Sequence, residues 1–155
     1  APKRRSLHMT LKELKAGLNK LLQTKYPKTK YKYYSMAVVE NYSRPCFFTH
    51  FLPVDIQPEN YNSCKKIMLF YITIMQEKND EAEVLDMIDE IRELFGLAVQ
   101  IGDRAVKVTD FDWNYTGSNN NIPEISIELQ WRDKIEHKDD APLMEHITTR
   151  IEMED

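Results

Sequence analysis

The sequence predicts an α+β domain in which a mostly antiparallel sheet of about five to six strands carries two helices packed on one face. Three observations carry that expectation. Two segments, 10–24 and 80–95, repeat apolar residues at helical spacing behind capping signals. Several others are rich in β-branched and aromatic residues and read as strands. The links between those strands are short enough for hairpins, which favours antiparallel pairing. A chain of 155 residues is long enough for one such domain with a single core.

The first helix opens with Thr10-Leu-Lys-Glu13, a capping box in which the Thr accepts from the backbone and the Glu reaches back. Leu11, Leu14, Leu18, Leu21 and Leu22 then line one stripe, and Pro27 prevents the helix from running on. KYKYYSM at 30–36 is short and aromatic and is predicted as a strand. Arg44-Pro45 leads into a strand over Cys46 to Val54, with Phe47 and Phe51 facing one way and Cys46, Phe48, Leu52 and Val54 the other. Such a strand is expected to be covered on both faces and to end near Pro53 and the polar QPEN loop. Residues 65–76, KKIMLFYITIMQ, repeat the pattern.

Asn79 and Asp80 cap the second helix, with Asp80 and Glu83 again at box spacing. Val84, Ile88, Ile91 and Phe95 share a face, joined by Leu85, Met87 and Leu94, and Gly96 is the expected stop. The last third is β: AVQI, a Gly102-Asp103 turn, then RAVKVTDFDWNY. In that strand the apolar phase slips from Val106 and Val108 to Phe111, Trp113 and Tyr115, which predicts a β-bulge near Thr109 or Asp110. After the TGSNNN loop, Ile125, Ile127, Leu129 and Trp131 alternate strictly. Beyond Arg132 the chain turns polar and acidic, and Leu143, Ile147 and Ile151 form one weak amphipathic segment.

Three regions follow. Residues 1–8 end at a His-Met junction typical of expression vectors and are read as vector-derived, with Met9 as the initiator. Residues 9–135 form the single domain, and 136–155 an acidic C-terminal tail.

No apolar run approaches the roughly 18 residues of a membrane span. Two cysteines, Cys46 and Cys64, are too few for a disulfide framework, which suits a reduced cytosolic setting. Cys46 and His50 lie four apart, about 13 Å along a strand, so they form no nucleophile–base dyad and no zinc pair. His137 and His146 sit in the tail without a motif. Asp110 and Asp112 followed by Glu128 and Gln130 give a D-x-D then E-x-Q pattern reminiscent of metal-dependent nucleases, but the lysine that would orient water is missing. Four glycines allow no phosphate loop. The expectation is a protein without catalytic, cofactor or metal-binding residues.

Charge is more informative. The net charge is −4, yet Thr10 to Tyr34 holds seven lysines against Glu13, and Glu136 to Asp155 holds seven acids against Lys138 and Arg150. This polarity predicts electrostatic pairing, with a neighbouring copy as one candidate partner. The candidate interface residues are Lys25, Lys28, Lys30 and Lys32 on the basic side. On the acidic side they are Glu83, Asp86 and Glu90 of the second helix and Glu136, Asp139 and Asp140 of the tail. KYPKTKYKYY at 25–34 also interleaves lysines with tyrosines, so a nucleic-acid-binding accessory protein is the alternative, with a metal-dependent nuclease far behind.

Together TLKELKAGLNKLL, RPCFF, KKIMLFYITIM, the acidic helix and GDRAVKVTDFDW resemble small phage tail-terminator (tail-completion) proteins over about residues 10–132. These are encoded among the virion genes of Gram-positive prophages and contractile phage-tail particles. The resemblance implies the fold of the lambda U type and a homo-hexameric ring, formed in solution or only on the tube end. That ring would cap the tail tube, stop its polymerisation and present a surface for head joining. The implied partners are other copies of the chain, the tail tube protein and the head–tail connector protein. DNA would pass through the ring without sequence-specific binding, and no membrane is involved. The implied location is the virion, with the host cytoplasm during assembly.

Overall fold

A computed structural model describes residues 9–35 and 41–135. Helix α1 spans Leu11–Lys25 and opens with the predicted box: Thr10 Oγ1 accepts from the Glu13 amide at 3.1 Å, and the Glu13 carboxylate accepts from the Thr10 amide at 3.4 Å. Leu14, Leu18 and Leu22 are fully buried beneath it. Helix α2 spans Glu81–Phe95, and Asp80 caps it by accepting from the Ala82 amide at 3.1 Å. The expected reciprocal bond from Glu83 is replaced. The buried Gln76 side chain accepts from the Asp80 amide at 3.1 Å and donates to its carbonyl at 3.0 Å, leaving Glu83 exposed. Gly96, at φ +60°, ends α2 as predicted.

The strands are β1 (Lys32–Tyr34), β2 (Cys46–Pro58), β3 (Ser63–Met75), β4 (Ala98–Ile101), β5 (Arg104–Thr116) and β6 (Ile122–Lys134). They form one six-stranded sheet in the order β1-β2-β3-β6-β5-β4. Among the described strands only β1 and β2 run parallel; every other neighbouring pair is antiparallel. This is the α+β architecture that the sequence predicts, with both helices on one face. The core lies between, built on Phe47, Phe70, Ile72, Ile125, Ile127 and Leu129, all fully buried. Gly17 lets α1 approach β4, since a Cβ there would stand 2.7 Å from Ile101 Cδ1.

The register of β5 against β6 slips between Val108 and Asp110, at the predicted bulge. That extra residue keeps Phe111 and Trp113 on the core side with Val106 and Val108. Strand β2 departs from expectation. It continues to Pro58, with a second slip between Pro53 and Asp55, and its far half is uncovered. Leu52 and Val54 are each 48% exposed and Ile56 64%; Leu52 pairs with Leu69 on the sheet face turned away from Phe47 and the helices, and Val54 stands at the register slip.

Candidate subunit interface

The basic segment is organised by its tyrosines. After Tyr26 the chain turns at Pro27, whose carbonyl accepts from the amides of Lys30 and Tyr31 at 3.1 and 3.0 Å. The rings of Tyr26, Tyr31 and Tyr33 pack around Phe47 with centroids 5.2 to 5.4 Å away. Turning the aromatics inward turns the lysines outward, and Lys25, Lys28, Lys30 and Lys32 are all exposed. Tyr26 and Tyr31 are spent on the core, so those rings offer no platform for nucleic-acid bases.

The acids of α2 stand beside this segment in the same subunit. The Tyr26 phenol donates to the half-buried Glu90 carboxylate at 2.5 Å. Burial, and then that carboxylate, push the Tyr26 hydroxyl far above its ordinary range. Glu83 lines a cleft of about 450 Å³ together with Lys30, Tyr31, Lys78 and Asp80. Asp86 is exposed elsewhere on α2. Glu136, Asp139 and Asp140 lie outside the described residues. The structure therefore brings Lys30 together with Glu83, and the end of α1 together with Glu90.

Among the described residues no helix covers the opposite face of the sheet. Cys46 is buried, and burial raises its thiol to about 11 against the lowering influence of Arg44. His50 stacks flat on Tyr71 at 4.8 Å, not on the thiol. Asp110 pairs in register with Glu128, and Asp112 with Ser126, so the D-x-D and E-x-Q patterns meet on this face. Glu128 accepts from the Thr109 hydroxyl at 3.1 Å. Among the described residues no cluster of three or more His, Cys, Asp or Glu is placed to hold a metal ion, and no helix is long and apolar enough to cross a membrane.

Comparison with known proteins decides the family. Residues 13–141, from within α1 to beyond β6, match the family model described as phage tail terminator protein. The chain belongs to that family. The terminator is thus a structural protein of the phage tail. No curated protein matches it. Two solved structures share its fold at a TM-score of 0.50 each. One is 14% identical, with 85% of this chain and 100% of that chain covered. The other comes from a virion of a native gene transfer agent particle and is 10% identical, with 79% and 95% covered.

One residue of the terminator that sequence reasoning missed is Asp133, whose side chain is buried in the last strand. It receives Lys66 Nζ at 3.0 Å, the Arg104 guanidinium, the Trp131 indole at 3.3 Å and the Met9 amide at 3.4 Å. Burial alone would raise its pKa, but the hydrogen bond and charge of Lys66, with the Met9 amide and Trp131, hold it below the ordinary carboxylate value. The signal was present: the Ile125, Ile127, Leu129, Trp131 alternation, carried one step further, puts residue 133 inward. Asp133 also closes a cleft of about 700 Å³ edged by Arg104, Lys107, Arg132 and Lys134.

Proposed function

We propose that the protein closes into a ring on the end of the tail tube, stops tube polymerisation and presents a surface to the head–tail connector. The observation that carries this reading is the family match over residues 13–141, which spans nearly all of the two-helix, six-stranded domain. A hexamer is the ring size that the resemblance to lambda U-type terminators favours. Its location is the virion, after assembly in the host cytoplasm, and the virion origin of a similar solved chain supports this. The partners are further copies of the chain, the tube protein and the connector protein, with DNA threading the ring without being read.

The work asked of the domain is binding, not chemistry. Its polar clusters are tied up in structural bonds, as with Asp133, Glu90 and Glu128. The exposed lysines at 25, 28, 30 and 32 are one contact surface in this proposal, Glu83 belongs to the rim beside Lys30, and the exposed Asp86 is a further acidic contact. Electron microscopy of the purified protein mixed with tail tubes tests the reading. Ring-shaped density at one tube end and arrested elongation are expected; tubes that grow on unchanged refute it.

A further inference from the structure

We propose that copies of this chain join head to tail through the two lateral edges of the sheet, the β2 edge of one copy lying against the β5 edge of the next. This deepens the ring reading and rests on it. Both edges are only partly flanked. β1 pairs with β2 only at 46–48, and β4 pairs with β5 only at 104–107. Among the described residues no strand borders β2 from Thr49 to Pro58, nor β5 from Asp110 to Thr116, on the side away from the sheet centre.

Apolar surface collects on or beside both free stretches. On the β2 side Leu52, Val54 and Ile56 are about half exposed or more. On the β5 side Leu97 is 86% exposed and Tyr115 36%. A heterologous contact needs two such different patches on opposite flanks of one subunit. Charge points the same way: Lys28, Lys30 and Lys32 flank the β2 side, and the exposed Asp110 and Asp112 lie on the β5 side. Within one subunit Glu83 shares a cleft with Lys30 and Glu90 accepts from the Tyr26 hydroxyl, whereas Asp110 and Asp112 stand exposed on the opposite flank.

The two flanks are also level. Leu52 pairs with Leu69, Leu69 with Glu128, and Glu128 with Asp110, so one row across the sheet links the two edges. A closed ring is generated by rotation without translation, so it joins patches that share a level. The contact is made by side chains, not by strand addition. Pro53 and Pro58 lack amide hydrogens, and the amides of Ile56 and Trp113 already donate to Asp55 and Asp112 at 2.8 and 2.9 Å. Edges blunted in this way do not template open-ended sheet growth.

A Leu52→Cys/Asp110→Cys double variant, bound to tail tubes and treated with a short bismaleimide, tests the proposal. A covalent ladder of successive oligomers is expected in the double variant and in neither single variant; Cys46 and Cys64 are buried in the fold. Intact rings in micrographs without a ladder would overturn the edge contact and leave the ring reading standing. Adducts to the tube protein in place of a ladder would also overturn it. Absence of rings in every variant and in the wild type would remove both. In parallel, Ile56→Asp/Leu97→Asp should keep its circular dichroism spectrum and lower ring occupancy on tubes at least tenfold; unchanged occupancy counts against the proposal.

Discussion

The hydroxyl of Tyr26, at the end of α1, is hydrogen-bonded to the carboxylate of Glu90 in the middle of α2. This single bond ties the two helices together where the basic segment begins. Tyr26→Phe keeps the ring packed on Phe47 and removes only the donor. It should cost about 1–2 kcal/mol, a hydrogen bond to a charged acceptor, measurable by urea unfolding. The same bond sets an alkaline limit. The folded Tyr26 and Tyr33 hydroxyls are both raised above the ordinary value of 10.0, by burial first. The unfolded chain therefore loses these protons first, and stability, intact below about pH 10, should fall as pH rises beyond it. A Tyr26→Phe variant should show a shallower alkaline slope.

Asp133→Asn leaves Lys66 and Arg104 facing a neutral amide. Their side chains are 29% and 25% exposed, so water relieves part of the loss, and a cost of about 2 kcal/mol is expected. Because the folded carboxyl is held below its ordinary 3.8, its stabilisation is present above that pH and is lost as pH falls through the folded value. Acid titration monitored by tryptophan fluorescence should show a flatter limb in the variant.

Cys46 should react slowly with a thiol reagent at pH 7 to 8, since its thiol is buried and raised to about 11. Cys46→Ala should cost about 1 kcal/mol and leave assembly on tubes unchanged. Rapid labelling of the native protein would contradict the structure.

Reversing Lys25, Lys28, Lys30 and Lys32 to Glu together should preserve the fold by circular dichroism and abolish tube capping, giving overlong tails or tails without heads. Each exposed pair is worth only about 0–1 kcal/mol, so single reversals should do little. Normal tail length and infectivity with all four reversed would remove the basic segment from the interface.

What could be read from the sequence was local in origin. The α1 box, the Gly96 stop, the β5 bulge and the β6 alternation each arise from residues a few positions apart, so periodicity exposes them. The bare far half of β2 could not be read, because Leu52, Val54 and Ile56 look like core until one knows which sheet face the helices cover and where the register slips. The proximity of Lys30 to Glu83 was hidden for the same reason, since β2 and β3 lie between them in the chain. Glu83 looked like a capping residue until Gln76, from the preceding turn, took the Asp80 amide. Asp133 is hard to see because the rise in polarity after Arg132 masks the alternation that points it inward.

The bond from the Met9 amide to Asp133 fixes the start of α1 beside the end of β6. A short linker could therefore join residue 9 to residue 134, and the chain could be reopened in the 117–121 loop at the far end of the sheet. Such a circular permutant should retain the native packing, because its new ends would fall where the backbone already turns at the surface. Extensions attached at residue 9 and at residue 134 would leave from one and the same pole of the molecule.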